Sequence, residues 1–563
     1  MSLPLIAGLF LVLLAFGYRF YGGFIARQYR LDDAAVTPAH SKQDGVDFVP
    51  TKPFYLLGQH FSAIAAAGPI AGPILAGQQF GWLPALLWIS FGVVFIGAVH
   101  DLSTLIASVR HGGVSIAEVV RTHLGPGAGV AMLLFIWVAL VYVIVAFTDA
   151  TAATFVSGDA ELAGLTFRFN PGGAVAAASM MYLGLAVVMG LVDRFLKPPL
   201  WLQTIIFVPA TLGAVWLGTQ VSTVLVMDAT KWSILILAYC FVASLTPVWL
   251  LLQPRGYLGG FVLYAALAVG VVGIFYGGFS GGLSIQQPAF NGFQLPGATG
   301  ALFPFLFVTI ACGACSGFHG LVCSGTTSKQ IDKESHCHPV GYGAMLLEGF
   351  VAVIALATVM IATRSELVGK APGAVYGAGL GRFLVTVIGE EHLLFATTFG
   401  AMAFSTFVFD TLDVSTRLGR YILQELTGAR GKVAAGVATA VTCGVPLFFL
   451  WLGGSGAWRS YWTLFGTSNQ LLAALSLLGI CVWLKKSGRR YAYALLPMLF
   501  VSVVTLVSLV MQIHHAFFVP EATTVVLVNG AVCVVLLVLA LSLFAAGGRV
   551  LLSRDSTRPA EAV

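Results

Sequence analysis

Two Gly-Pro pairs lie close together in the middle of an apolar stretch, Phe61 to Ala76, which reads FSAIAAAGPIAGPILA. Proline has no N–H to donate to the carbonyl one turn earlier, and its ring crowds that carbonyl. We therefore expect Gly68-Pro69 and Gly72-Pro73 to unwind this helix near its middle. A stretch this apolar lies in a bilayer, where unpaired backbone groups are tolerated only inside protein or beside a water-filled cavity. The alternative is a kinked packing helix whose small residues allow close approach.

The chain as a whole has the composition of a polytopic membrane protein. Hydrophobic residues make up 58% and charged residues 9% of its 563 residues, against about 25% charged residues in a typical soluble domain. The net charge of +6 comes from loop Lys and Arg, which indicates orientation in the membrane and not a nucleic-acid or other acidic partner. The sequence has no nucleotide-binding loop of the Gly-x-x-x-x-Gly-Lys-Ser/Thr type. It also has no catalytic constellation, so we expect neither ATP-driven transport, nor an enzyme, nor a cofactor.

Apolar stretches of the length that crosses a bilayer recur along the whole chain. We count about 15 of them, each near the ~20 residues required. They fall at about 3–25, 54–77, 82–108, 127–149, 173–192, 198–218, 232–252, 258–278, 303–327, 341–362, 393–413, 432–452, 461–484, 491–513 and 523–546. Two further segments, 115–124 and 376–391, are predicted to lie along the membrane surface. Lys and Arg are concentrated in alternate loops, which predicts a periplasmic N-terminus and a cytoplasmic C-terminus in an inner membrane.

The order of these elements predicts an inverted repeat. Residues 54–218 and 300–484 each hold a broken span, a span, a surface helix and three further spans. The rest would be an extra N-terminal helix and cytoplasmic loop (1–53), an inserted helix pair (219–299), and a C-terminal pair and tail (485–563). This order is that of an all-α, leucine-transporter-type 5+5 inverted repeat with two discontinuous helices. A rival second unit starting at residue 232 lacks a surface helix in the matching place.

The second broken span, Phe303 to Thr327, reads FPFLFVTIACGACSGFHGLVCSGTT. Helix N-termini at such breaks carry free N–H groups and partial positive charge, which suit a substrate carboxylate. The candidate substrate contacts at the two breaks are Gly68, Ala71, Gly72, Gly313, Ser316, Gly317 and His319.

Histidine and hydroxyl side chains at membrane depth are candidates for ion coupling. His60 flanks the first break and His319 lies in the second, and a histidine can titrate near physiological pH and so carry protons. Ser405 and Thr406 lie in the span that matches the eighth core helix, where they could hold sodium against unwound carbonyls. Hydroxyls that bond their own helix are the alternative.

Acidic side chains at membrane depth are the other ion-coupling candidates, because they are costly there and usually functional. They are Asp101, Asp410 and Asp413, with Glu348 as a weaker candidate. For Asp413 the structural alternative is an ion pair with Arg417, four residues later in the sequence.

Two cysteine-containing motifs are reminiscent of metal or redox sites. Cys312-Gly-Ala-Cys315 has redox spacing but lies in an apolar span, where packing is the expected role. His336-Cys337-His338 lies in a cytoplasmic loop with Cys323 upstream, but three adjacent ligands do not easily form a tetrahedral zinc site. We therefore predict no metal and no disulfide among the eight cysteines.

Several stretches resemble the carbon starvation protein A (CstA) family. They are YRFYGGFIA (18–26), DGVDFVPTK (44–52), GQHFSAIAAAGPIAGPILA (58–76), PVWLLLQPRGYL (247–258), FPFLFVTIACGACSGFHGLVCSGTTSKQI (303–331), DTLDVSTRLGRYILQEL (410–426) and LFGTSNQLLA (464–473). The resemblance implies an inner-membrane secondary transporter related to the amino acid–polyamine–organocation (APC) superfamily. That family is associated with peptide uptake during nutrient limitation, and some relatives with pyruvate. The expected function is a proton- or sodium-coupled symporter of small peptides, with pyruvate or another short carboxylate as the alternative substrate and a channel as the alternative class.

Overall fold

A computed structural model describes residues 2–45, 47–156, 169–280, 282–454, 456, 458–520 and 522–553. Within this part of the chain the architecture is all helical, and the only extended pairings are two isolated bridges, Thr51 with Ile331 and Gln294 with Ala301. The predicted cytoplasmic tail after residue 553 lies outside the described residues.

Twelve helices of the described chain are long and apolar enough to cross a membrane, and one bent pair raises the number to thirteen. The twelve are Leu3–Tyr29, Trp82–Arg110, Pro126–Phe155, Pro171–Phe195, Leu200–Gln220, Leu252–Gly277, Glu334–Met360, Glu390–Thr427, Lys432–Gly453, Trp458–Lys486, Ala492–Phe518 and Thr524–Leu552. Each overlaps a predicted span, although several are longer than predicted.

Two predicted spans do not meet that length criterion, so the count of about 15 remains a prediction. The helix Ala229–Leu245 has 17 residues and ends where Thr246, which precedes a proline, adopts an extended conformation. The residue before a proline is pushed out of the helical region by the proline ring. The other is the span predicted at 303–327, which is broken.

The first broken helix consists of Pro53–Ile64 and Gly68–Phe80, bent by 49° at the break. The interruption lies just before the first Gly-Pro pair, so Pro69 falls in the first turn of the second half. A proline in that position removes only an N–H that has no partner in the helix. Pro73 lies inside the second half, so the prediction that both Gly-Pro pairs unwind the helix is wrong for Gly72-Pro73.

The second broken helix consists of Leu302–Thr309 and Gly317–Gly325. Side chains from neighbouring helices satisfy the carbonyls that the interruption frees. Trp462 Nε1 donates to the Thr309 carbonyl at 3.2 Å and Trp88 Nε1 donates to the Ile310 carbonyl at 3.1 Å. The break is therefore built into the packed interior, where unpaired backbone groups would be costly.

Both predicted surface segments form helices, Ile116–Leu124 and Pro372–Ile388. Ser115 caps the first of them, because its Oγ accepts a hydrogen bond from the Glu118 backbone N–H. The remaining short helices are Pro38–Ser41 and Arg364–Leu367.

The centre of the molecule is formed by the two broken helices and the long helices around them. The apolar window of Trp458–Lys486 is fully buried, and that of Glu334–Met360 is 89% buried. Thr524–Leu552, at the periphery, is only 28% buried. Residues 64–74 and 308–324, at the two interruptions, are buried throughout, whereas the outer helices are left to face lipid.

Candidate functional site

The two helix breaks lie against each other. A Cβ placed on Gly68 would overlap the side chain of Cys312, and one placed on Gly72 would lie 2.6 Å from the carbonyl oxygen of Thr309. These glycines permit a close approach of the two segments that any larger residue would prevent. Segments distant in the sequence thus form a single junction.

The predicted substrate contacts lie at or beside this junction, tightly packed. A Cβ on Gly313 would be 2.7 Å from that of Ala352, and one on Gly317 would overlap the backbone of Asn469. Ala71 is fully buried. In the conformation described, these small residues therefore serve close helix packing.

Asn469 caps the second half of the second broken helix. Its Oδ1 accepts from the Phe318 backbone N–H at 2.9 Å, and its Nδ2 donates to Ser316 Oγ at 3.0 Å. The same amide group lies 3.3 Å from Cys312 Sγ. Asn469 was not among the predicted site residues, although the polar run Thr-Ser-Asn-Gln inside an apolar span was a signal for it.

His319 lies between two carboxylates in the interior. Its Nδ1 is 2.9 Å from Asp101 Oδ2 and its Nε2 is 3.1 Å from Glu348 Oε2. All three side chains are buried, at 1% exposure or less. We call Asp101, His319 and Glu348 the acid–histidine cluster. Three separate elements supply it, with His319 in the first turn after the second break.

The acid–histidine cluster has one potential positive charge and two potential negative charges. A buried charge is tolerated where it is paired, and a proton bound by His319 would pair with both carboxylates. Glu348 Oε1 has no hydrogen-bond partner among the described residues, whereas Oε2 faces His319 Nε2. One carboxylate oxygen of the cluster is therefore free to bind a further proton.

Two more histidines extend this polar region. His100 Nδ1 lies 2.7 Å from Asp101 Oδ1, so that carboxylate lies between two imidazoles. His60 Nδ1 is 2.9 Å from Thr327 Oγ1, and its Nε2 is 3.7 Å from Cys323 Sγ. His60 thus connects the first broken helix to the end of the second. His100 was not predicted to be a site residue, because it belongs to no recognisable sequence motif.

A second buried cluster surrounds Arg255, which is fully enclosed. Its Nη2 lies 2.7 Å from Asp410 Oδ1 and its Nε lies 3.1 Å from Asp413 Oδ2. Tyr239 Oη donates to Asp413 at 2.7 Å. We call Arg255, Asp410, Asp413 and Tyr239 the arginine cluster. It links the helices predicted as an inserted pair to the core.

The proposed ion pair between Asp413 and Arg417 is not formed. Arg417 Nη2 donates to the backbone carbonyls of Ala243 at 2.8 Å and Thr246 at 3.0 Å instead. Those carbonyls lie at the end of the helix Ala229–Leu245, where they lack partners within the helix. The helix terminus is therefore the partner of Arg417, while Arg255 is the partner of Asp413.

The Ser405 hydroxyl bonds its own helix and a neighbouring one. Ser405 Oγ is 2.7 Å from Ser179 Oγ and donates to the Met402 carbonyl at 2.9 Å. Thr406 Oγ1 is buried without a hydrogen-bond partner. Bonding within and beside their own helix is the arrangement observed for Ser405.

The histidine and cysteine motifs are dispersed by the fold. His338 stacks on Tyr18 with ring centroids 4.5 Å apart, whereas Cys337 beside it is buried. Cys312 and Cys315 are free thiols. Within the described ranges, no three His, Cys, Asp or Glu residues are grouped so that they could hold a metal.

An all-helical chain with at least twelve apolar helices and a buried, charged centre at two helix interruptions is a multi-pass membrane protein. The profile of the family described as "Carbon starvation protein CstA" matches residues 3–375 and 363–508. The chain belongs to that family, as the resemblance in its motifs predicted.

Several relatives with assigned names cover most of the chain. A "Peptide transporter CstA" from Bacillus subtilis is 33% identical, over 94% of this chain and 93% of that protein. Its counterpart from Escherichia coli is 32% identical over 87% of this chain and 78% of that protein. A "Pyruvate/proton symporter BtsT" from Escherichia coli is 31% identical over 84% of this chain and 76% of that protein.

Among solved structures, a manganese transporter from Eremococcus coleocola is similar with a TM-score of 0.47 and 15% identity. The match covers 89% of this chain and 97% of that one.

Proposed function

We propose that this protein imports small peptides across the bacterial inner membrane and couples their entry to protons. The observation that carries the proposal is the position of His319, between two buried carboxylates and one turn from the junction of the two breaks. Membership of a family whose relatives are named peptide transporters supplies the substrate class.

The acid–histidine cluster is the coupling site in this proposal. All three side chains are buried away from water, in a region of low dielectric constant. Because electrostatic interactions are strong there, the gain of one proton changes the interaction energy between the helices that carry these side chains. His319 has a carboxylate at each nitrogen and can receive a proton at one side and release it at the other. Because His319 lies in the first turn of the helix after the break, its protonation state acts directly on the junction.

The substrate carboxylate binds, in this proposal, at the breaks when the junction opens. The backbone N–H groups at the start of Gly317–Gly325 carry the positive end of a helix dipole. Asn469 Oδ1 occupies the Phe318 N–H in the conformation described. Opening would exchange that amide oxygen for a carboxylate oxygen, with Gly68, Ala71, Gly72, Gly313, Ser316 and Gly317 around it.

Alternating access follows from the inverted repeat, which we retain as a proposal with units 54–218 and 300–484. It is supported by helices at both predicted surface positions and by the meeting of the first helices of the two units. The same assignment puts the N-terminus in the periplasm and the C-terminus in the cytoplasm. Reporter fusions near Ser280 and at Val563 should read periplasmic and cytoplasmic, and two fusions on one side would refute the repeat.

Sodium is the second candidate for the coupling ion. The arginine cluster carries two carboxylates against one guanidinium, and this excess negative charge favours a cation near Asp410 or the unpartnered Thr406 hydroxyl. His60 and Ser405 have hydrogen-bond partners and belong to the surrounding structure. Pyruvate is the second candidate substrate, because one relative is named for its symport with protons.

Uptake into proteoliposomes tests the proposal. Labelled dipeptides and labelled pyruvate are offered with an inward pH gradient or an inward sodium gradient, imposed separately. We expect dipeptide accumulation that follows the pH gradient. If only pyruvate accumulates, pyruvate and not a peptide is the substrate. If a sodium gradient drives accumulation, the coupling site is the arginine cluster. Absence of counterflow would indicate a channel.

A further inference from the structure

A cavity of about 380 Å³ lies between the helices Ala229–Leu245 and Lys432–Gly453, far in sequence from both breaks. Its walls are apolar, and Ile234, Phe448 and Trp451 among them are 48%, 52% and 73% exposed. In a membrane-spanning chain such outward-facing apolar side chains contact acyl chains. The cavity is therefore open to lipid.

Asp149 lies at the wall of this cavity, with only 2% of its surface exposed. It accepts a hydrogen bond from the Trp458 backbone N–H at 2.6 Å, at the first residue of the helix Trp458–Lys486. The positive end of that helix dipole favours the ionised carboxylate. Among the ion pairs of the described residues none includes Asp149, so the charge has no cationic partner there.

Basic and hydroxyl groups accompany the carboxylate. Thr230 and Ser233 line the same cavity. Arg459 follows Trp458 in the chain and stacks over its ring. Lys231 follows Thr230 and is 67% exposed at its side chain, where it pairs with the exposed Asp228 at 2.9 Å. The apolar walls complement an acyl chain. Asp149, which has no cation beside it among the described residues, complements a primary ammonium, and the exposed cations nearby complement a phosphate.

We infer that this cavity binds a phospholipid with a primary ammonium headgroup, and that Asp149 receives the ammonium. A hydrogen bond between an ammonium and a carboxylate is charge-assisted and strong in a dry site. A trimethylated headgroup has no N–H to donate, so the cavity should distinguish phosphatidylethanolamine from phosphatidylcholine with the same acyl chains.

Native mass spectrometry of the full chain, released from bilayers with equal amounts of those two lipids, tests the inference. We expect about tenfold more bound phosphatidylethanolamine, the ratio that a difference of about 1.4 kcal/mol produces. Asp149→Asn retains an oxygen for the Trp458 N–H but lacks the charge, so the ratio should fall to near one. Glu118→Gln is the matched control, because that carboxylate is exposed, paired with Arg121 and outside the cavity wall, and it should leave the ratio unchanged.

A second variant tests the cavity separately from the charge. Leu447→Trp fills the space between the helices and should reduce binding of both lipids. Equal binding of the two lipids by the unsubstituted chain, or an unchanged ratio in Asp149→Asn, would overturn the inference. Displacement of the lipid by a dipeptide would overturn it too, because the carboxylate would then serve a peptide ammonium. None of these results depends on transport, so they leave the proposed function to its own test.

Discussion

Gly72 lies against the backbone of Thr309, so that a Cβ on the glycine would be 2.6 Å from the threonine carbonyl oxygen and 3.2 Å from the Ile310 Cα. This contact joins the second half of one broken helix to the interruption of the other. It makes the two breaks one structural unit, through which a change in either can reach the other.

Gly72→Ala should therefore separate the breaks and abolish transport. The atoms that the new methyl group meets are backbone, which cannot rotate away, and we expect a loss of stability of about 1–3 kcal/mol as in other overpacked sites. The measurements are dipeptide uptake and thermal unfolding of the purified protein.

Gly184→Ala is the matched control for that substitution. Gly184 lies in the helix Pro171–Phe195, and a methyl group added there would have no other atom within 4 Å. Alanine is favoured over glycine in a helix by up to about 1 kcal/mol. The variant should transport normally and be at least as stable as the unsubstituted chain. Normal uptake by Gly72→Ala would mean that transport does not need the contact between the breaks.

Asn469→Ala should impair the second broken helix more than Ser316→Ala does. Removal of the amide leaves the buried Phe318 N–H without an acceptor, at a cost of about 1–3 kcal/mol, whereas loss of one neutral hydroxyl bond costs about 0.5–1.5 kcal/mol. In Ser316→Ala the amide still holds Phe318. Both effects can be measured as denaturation midpoints in detergent and as affinity for a dipeptide. If the two substitutions have equal effects, Asn469 does not act as the cap of this helix.

Arg255→Gln should be among the most destabilising single changes in the molecule. It leaves the buried Asp413 and the partly exposed Asp410 without their cation, and loss of one partner from a buried ion pair costs about 3–5 kcal/mol. Adding Asp410→Asn removes one of the uncompensated charges, while Asp413 keeps its bond from Tyr239. The double variant should thus recover part of the lost unfolding free energy. If the double variant has a lower unfolding free energy than Arg255→Gln, ion pairing does not stabilise the arginine cluster.

The pair His111 and His123, at the helix Ile116–Leu124, should make the free energy of unfolding depend on pH. Their Nε2 atoms are 2.8 Å apart, and burial, His111 and Lys486 lower the pKa of His123 from 6.5 to about 4. The unfolded chain binds the proton near pH 6.5 and the folded chain only near pH 4, so stability falls as pH drops through this window. Unfolding temperatures at pH 7.5 and pH 5 should differ less for His123→Gln than for the unsubstituted chain. An identical difference would exclude His123 as the source.

The sequence predicted the existence of both breaks better than their positions. Gly-Pro pairs inside an apolar span indicate an interruption wherever it falls, because the missing N–H is a local property. Whether a given proline starts a helix half or lies inside it depends on neighbours that satisfy the freed carbonyls. Trp88 and Trp462, which do so at the second break, come from remote segments that no local pattern identifies.

The partners of the charged residues were the least predictable part of the site. Asp101 and His319 were recognised because ionisable side chains at membrane depth are rare. Their meeting, and the pairing of Asp413 with Arg255 instead of Arg417, are tertiary relationships across more than 100 residues of sequence. Spacing along one helix suggested the nearer partner, but the carbonyls at the end of Ala229–Leu245 bind Arg417.

The most direct test of proton coupling through His319 is internal pH, recorded with a trapped dye when a dipeptide is added to proteoliposomes without an imposed gradient. Counterflow of the same dipeptide is measured in parallel to show that the protein still binds and exchanges substrate. The unsubstituted protein should acidify the interior, and His319→Gln should abolish that acidification while counterflow persists. Acidification of unchanged size in His319→Gln, or dipeptide accumulation by the unsubstituted protein without proton entry, would contradict the account.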